Sequence, residues 1–372
     1  MTENVWLKTA KIIVRASGNP LFQPNDTMIN LLQTLITEDQ AKFLLNFRNP
    51  ILTFAKLKEK TAMEDNDLKD MLNSLMDEGI ILDMLNEDSN IMEYRLLAPF
   101  PEFFEHTLVK EGTTEKRKKL AKIYDKMLQE ASELIQKNYE MIVPEFKARM
   151  PAYTRIIPID NDLIIPDEET LPFYEASKIV DRYDIISLSR CPCKFEKELL
   201  NDPCKMTTDQ FRCLHFGTLG RYYIEHGFGK PITKEDAKKI LLEAEKDGLV
   251  HKAFHYNSDI DKEENALCNC CKCCCILFQS FYRGVWPFHT KTSYIAESDD
   301  NKCTGCGICV EKCPTEANYL IDNISNIDKS RCIGCGVCVQ LCPEKSRTLL
   351  KTELRSVFIQ VPKVVQSVKL TN

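Results

Sequence analysis

No stretch of this chain approaches the ~20 consecutive apolar residues of a membrane-crossing helix, so helical membrane insertion is not expected. Residues 1–18 place Lys8, Lys11 and Arg15 among apolar side chains, without a continuous apolar core or a small-residue cleavage site, which argues against a secretory leader. Neither G-x-G-x-x-G nor a Walker sequence occurs, which argues against a nucleotide-phosphate loop and so against a flavin or NAD site within the chain. No Ser, His and acid grouping is recognisable. An excess of positive charge is missing too: the formal net charge is -6, which does not suit a general polyanion binder.

Cysteine is what the chain has in quantity, eighteen in 372 residues. With 44% hydrophobic and 28% charged residues the chain reads as globular, and its length calls for two or more domains. Without a leader, so many thiols read as metal ligands in a reducing cytoplasm rather than as disulfides. Eight of them form two runs of C-x2-C-x2-C-x3-C-P: Cys303, Cys306, Cys309 and Cys313 before Pro314, and Cys332, Cys335, Cys338 and Cys342 before Pro343. Three thiols of such a run wrap one face of a cubane, and the fourth serves the other centre. This places Cys303, Cys306, Cys309 and Cys342 on one [4Fe-4S] cluster, and Cys332, Cys335, Cys338 and Cys313 on the other. Gly305, Gly307, Gly334 and Gly336 let the backbone come close. Zinc sites take their ligands in two pairs, not as a triple with a crossing fourth. On both runs, and on short strands expected at Tyr294–Ile295 and within Asn318–Asp328, residues 294–352 resemble the bacterial two-cluster ferredoxin family. The resemblance implies a low-potential pair of clusters. Because oxygen destroys exposed cubanes, an anaerobic host is expected.

The other ten cysteines are Cys191, Cys193, Cys204 and Cys213, then a hexad of Cys268, Cys270, Cys271, Cys273, Cys274 and Cys275. Cysteine buries well, which could explain Cys213 alone but not six thiols in eight residues. One or two additional iron–sulfur clusters are expected, with ligands from both groups tying residues 190–213 to 268–275. The pairs Cys268/Cys271, Cys270/Cys273 and Cys271/Cys274 are alternatives, as is a non-cubane cluster. Between the groups, Thr233 and Asp236 form a capping box for a helix through Ala237, Ile240, Leu241 and Ala244, ended by Gly248 before a strand at 249–251. Residues Leu171 to Cys275 resemble cysteine-rich modules found beside ferredoxin domains in redox proteins of anaerobes. His215, His251, His255 and His289 read as packed or solvated rather than as ligands.

Residues 38–110 read as three helices followed by strands. A short helix spans Thr53–Lys60, and a longer one spans Asn66–Glu78 with Leu68, Met71, Leu72, Leu75 and Met76 inward. Gly79 ends it, and Ile80–Leu85 pairs with Met92–Leu97. That order resembles a winged helix-turn-helix domain. Asp65, Asp67, Asp70, Asp77 and Glu78 on the reading helix, against Lys69 alone, and Glu87 and Asp88 in the wing, oppose phosphate contact; protein docking is expected instead. Thr114 to Ile142 reads as one amphipathic helix with Leu120, Tyr124, Met127, Ala131, Leu134, Asn138 and Met141 on a stripe, suited to packing on its own domain or to docking a partner or second copy. Pro144, Pro151, Pro158, Pro166 and Pro172 then suggest an extended connector anchored by Ile156–Ile157 and Leu163–Ile165. Val357 to Leu370 suggests an edge strand or a tail.

The expected architecture is α+β and multidomain: a winged-helix-like domain (1–112), a long amphipathic helix and connector (113–150), a cysteine-rich iron–sulfur domain (151–290), a ferredoxin-like 2[4Fe-4S] domain (291–355) and a C-terminal tail (356–372). The expected role is a cytoplasmic subunit relaying single electrons between a partner oxidoreductase, flavin- or metal-containing, and another carrier. No nucleic acid is expected as partner, and helix 113–142 is a candidate oligomer contact. The alternatives are a reductase with an open or non-cubane catalytic cluster in the cysteine-rich domain, and a redox-sensing regulator.

Overall fold

A computed structural model of the chain describes residues 4–17, 21–86, 89–110, 114–150, 152, 154–158, 176–255 and 263–364. Glu87 and Asp88 of the expected wing lie outside the described residues. So do Pro151, Pro166 and Pro172 of the connector with Leu163–Ile165, the start of the cysteine-rich segment at Leu171, and the tail beyond residue 364. Helix and sheet are mixed. The chain forms two compact units, Met1–Ala131 with Ser189–Pro203 and Arg221–Lys230, and Ser132–Leu188 with Cys204–Gly220 and Pro231–Asn372.

In the first unit, helices Val5–Ser17, Asp26–Leu35 and Glu38–Leu44 precede a strand at Ile51–Thr53, helices Phe54–Thr61 and Asp65–Asp77, and strands Ile81–Asn86 and Ile91–Leu96. The strand Ile91–Leu96 lies between the other two, antiparallel to both. Thr53 caps its helix by accepting from the Lys56 amide, and Ala62 ends it in the left-handed region. Leu68, Leu72, Leu75 and Met76 are buried at helical spacing, while Asp65, Asp67 and Asp70 face solvent. Gly79, at φ 70, turns the chain into the hairpin, and a Cβ there would lie 2.3 Å from the Cβ of His106. The Tyr222 hydroxyl, from the returning segment, lies 2.9 and 2.8 Å from the carbonyls of Met76 and Ile81.

The single helix expected over 114–142 is two helices, Glu115–Lys137 and Tyr139–Arg149, separated at Asn138 (φ -115, ψ 28). Thr114 opens the first by accepting from the Arg117 amide. Leu120, Tyr124, Met127 and Ala131 are buried, whereas Met141 is 69% exposed. Pro144, expected to begin an extended connector, sits inside the second helix. The local helix tolerates it because Pro144 and Glu140, whose carbonyl loses a donor, are both exposed.

The second unit is organised by a large sheet. Six of its strands run in the order Arg347–Ile359, Phe288–Ser298, Thr154–Ile157, Val250–His255, Glu264–Cys270 and Phe211–Phe216. Of the edge strand or tail expected from Val357 on, residues 357–359 are edge strand, antiparallel to Phe288–Ser298. Alternation divides the sheet into two buried faces. Ile157, Leu214, Phe216, Ala253 and Leu267 join Ile179, Ala237 and Leu241 of the helices on one side. Ile156, Val250, Cys270 and Phe288 join Cys275, Phe278, Ile333, Cys335 and Val337 on the other. The expected capping box is present at Thr233 and Asp236, and opens helix Lys234–Lys246. Gly248 at φ 70 ends the turn, and the Leu249 amide donates to the Ala244 carbonyl (2.9 Å). Beyond the sheet, Asn318–Ile321 and Ile324–Ile327 pair as a hairpin.

Candidate metal centre

The two C-terminal cysteine runs interlace. Cys303, Cys306, Cys309 and Cys342 line one cavity, with Ser325 and Ser346 at its wall. Cys313, Cys332, Cys335 and Cys338 line a second, against Ala296 and Ile333. Each cavity takes three thiols from one run and the fourth from the other. The free spaces are alike, about 320 and 310 Å³ with their open mouths included. Gly305 and Gly334, at positive φ, pass so close to the neighbouring backbone that a Cβ would lie 2.3 Å from the carbonyl oxygen of Asn323 or Tyr294. Local structure explains the crossing: short helices Ile308–Lys312 and Val337–Gln340 carry the chain from the third cysteine of each run towards the fourth.

Donors converge on the sulfurs. The amides of Ser325, Ser346, Ala317 and Ala296 donate to the Sγ atoms of Cys303 (3.4 Å), Cys342 (3.4 Å), Cys313 (3.2 Å) and Cys332 (3.5 Å). Such bonds favour the thiolate and tune a bound cluster. The guanidinium of Arg347, a residue only 3% exposed, lies 3.4 Å from Cys309 Sγ and also donates to Ser325 Oγ. Burial pushes the Cys338 thiol up to about 12, with Cys332 adding and Arg347 opposing. Burial likewise holds Cys335 well above its ordinary value. At Cys342 burial acts upward, but the Ser346 hydroxyl and nearby amides outweigh it and lower the thiol. Thiols that resist ionisation alone lose their protons to a coordinated metal, so the donor sets fit iron–sulfur clusters.

Residues 295–343 match the family model of the 4Fe-4S dicluster domain. No curated protein and no solved structure matches the chain. Clusters held by this domain supply one-electron transfer. Access differs between its two cavities: Cys306 is exposed and Cys303, Cys309 and Cys342 are half-buried, whereas Cys313, Cys332, Cys335 and Cys338 are all buried.

The ten upstream thiols separate into groups. Cys204 meets Cys271, Cys273 and Cys274, and the four sulfurs all lie within 4.8 Å of one another. Hydrogen bonds from Cys271, Cys273 and Cys274 hold the Cys204 thiol far below its ordinary range. Cys270 lies within hydrogen-bond reach of Cys268 and Cys275, which raise its thiol before burial adds to the shift. Strand alternation explains the division of the hexad. Cys268 and Cys270 share a face of Glu264–Cys270, and the chain then turns at 271–274 before Cys275 precedes helix Ile276–Tyr282. Of the expected C-x2-C pairs, Cys271/Cys274 falls within one group. Cys213 is paired across the sheet with Cys268. Cys191 and Cys193 belong to the first unit, where Cys191 precedes helix Pro192–Leu199 and both are buried.

Sequence reasoning missed three residues at these sites. Arg347 is the first. Lys252 is fully buried, with its ammonium 3.9 Å from Cys275 Sγ and 3.6 Å from the centre of the Phe278 ring. The readable signal was its place two residues after Val250, on the same strand face. Tyr282 is the third: its hydroxyl donates to the Pro314 carbonyl beside Cys313. His251, by contrast, contacts Asn269 through Nδ1 and Glu245 through Nε2 (3.2 Å), a packed histidine rather than a ligand.

Proposed function

We propose that the chain is an electron-transfer protein in which the dicluster domain exchanges single electrons with partner redox proteins. The observation that carries this reading is the pair of four-thiol cavities of unequal exposure. A centre near solvent suits exchange with a partner, and a buried one suits onward transfer. Exposed Tyr319, Leu320 and Ile321 lie on the hairpin next to the outer cavity, and they support docking of a redox protein there. The buried cavity shares a core with Cys270 and Cys275 through Cys335, Ile333 and Phe278, which supports an upstream iron–sulfur centre using Cys268, Cys270 and Cys275. Lys252 would stabilise thiolate or cluster charge there. A flavin- or metal-containing oxidoreductase as partner, a cytoplasmic and anaerobic setting, and a winged-helix reading of residues 38–110 as a protein-docking module complete the proposal. No helix of the described residues is long and apolar enough to cross a membrane.

The test is iron content and a reductive titration of anaerobically prepared full-length protein. About eight irons are expected for the dicluster domain alone and about twelve with an upstream cluster. Eight would remove the upstream centre, and colourless protein without iron would overturn the whole reading.

A further inference from the structure

The sulfur spacing at Cys204, Cys271, Cys273 and Cys274 differs in kind from that of the two dicluster cavities. Cys204 Sγ lies 3.6 Å from Cys271 Sγ and 3.7 Å from Cys273 Sγ, and Cys273 Sγ lies 3.7 Å from Cys274 Sγ. These are far beyond the ~2.05 Å of a disulfide. A single ion with four sulfurs at about 2.3 Å in a tetrahedron sets neighbouring sulfurs about 3.8 Å apart. A cubane instead needs room for four irons and four sulfides between its thiolates. Among the described residues, no other group of three or more potential ligands draws its atoms within 4.8 Å of one another, and the dicluster cavities are not so contracted.

We infer that Cys204, Cys271, Cys273 and Cys274 hold one zinc ion in a closed four-thiolate site, separate from the electron path. A tetrahedral S4 set selects zinc or iron, and the divalent affinity order places Zn2+ above Fe2+. All four positions are filled by protein sulfur, which is the form of a structural site rather than a catalytic one. The Lys205 amide donates to Cys273 Sγ (3.4 Å) and orients it. Cys271 and Cys274 are buried while Cys204 and Cys273 are half-buried, so the ion has an entry side. The site ties the segment around Cys204 to the turn at 271–274. That turn follows the strand ending at Cys270 and precedes the helix that begins after Cys275, so the zinc would hold the turn closed without carrying an electron.

The test uses full-length protein purified without oxygen. Metal analysis should find one zinc per chain, and zinc-edge X-ray absorption should show four sulfur neighbours at about 2.3 Å with no iron in its second shell. Cys204→Ala and Cys273→Ala should each lose that zinc while keeping the iron and sulfide content of the wild type. Cys306→Ala should lose iron and keep the zinc. Four irons lost on Cys273→Ala, or a single reducible iron in place of zinc, overturns the assignment, as does wild-type protein with sulfur-poor or no zinc. The absorption spectrum is taken on wild-type protein, so misfolded variants do not blunt the test. Absence of iron would sink the electron-transfer reading and leave the zinc result intact.

Discussion

Arg347 places a positive charge 3.4 Å from Cys309 Sγ, inside protein, where screening is weak. Reduction adds negative charge to a centre held there, and the guanidinium favours it. Arg347→Leu should therefore lower the potential of the outer centre, by on the order of 60 mV for a tenfold change in a one-electron equilibrium. Potentiometric titration followed by electron paramagnetic resonance reads it, and an unshifted potential with the centre still filled would show that the charge is compensated. Glycine gives a second prediction at this scale. A Cβ at Gly334 would lie 2.3 Å from the Tyr294 carbonyl oxygen, whereas one at Gly307 would meet only Leu320 Cδ1, at 4.0 Å. Gly334→Ala should abolish iron at the inner cavity, while Gly307→Ala, strained by φ 78 alone, should cost roughly 1–2 kcal/mol and keep its iron. Iron counts of the two purified variants decide it; equal loss would refute the steric argument. The cysteine runs were legible because their spacing encodes a local loop. Arg347 was not, because its significance depends on which strand face meets a sulfur 38 residues away.

Helix termini carry local chemical signals that helix continuity lacks. Thr233 with Asp236, and Gly248 after the last turn, are chemical signals within a few residues, and the structure carries both. The break at Asn138 has no comparable signal: the apolar stripe continues across it, and Pro144 sits within the helix that follows. The hexad shows the same limit, since its division depends on a strand ending at Cys270. At this scale the first unit carries a pH dependence. His106 is buried against the rings of Tyr222, Tyr223 and Phe228, and Gly79 leaves it room. Burial lowers its imidazole to about 4; Nδ1 contact with the Glu102 carbonyl opposes this, and Arg95 and His226 add to it. The unfolded chain takes up that proton near pH 6.5, the folded chain only near 4. Stability is thus full above pH 6.5 and falls as pH drops to about 4, by roughly 2 kcal/mol at pH 5 and about 3 kcal/mol in all. Unfolding free energies from urea titrations at pH 7 and pH 5 should differ by about 2 kcal/mol less in His106→Phe than in wild type; identical differences would mean that His106 is not the group responsible.

Over the whole molecule, the unforeseen feature is that the dicluster domain shares the large sheet of the second unit. Strand Phe288–Ser298 pairs with Arg347–Ile359 on one side and meets Thr154–Ile157 on the other. Ile333 and Val337 of the second cysteine run enter the same core as Ile156, Val250 and Phe278. Spacing could announce two clusters, but not that one would be built into a core of residues more than fifty positions upstream. The inner cavity should therefore depend on that core, and the outer cavity, with Cys306 exposed, should not. An iron chelator acting on the anaerobic full-length protein should withdraw dicluster iron in two phases, the fast one from the outer cavity. Phe278→Ala removes a fully buried ring and should destabilise the second unit by about 3–5 kcal/mol. Local opening around the inner cavity then becomes more frequent, and the slow phase should accelerate while the fast phase keeps its rate. A single phase in the wild type, or a variant that changes the fast phase instead, would mean that access to the two centres is not set by this core.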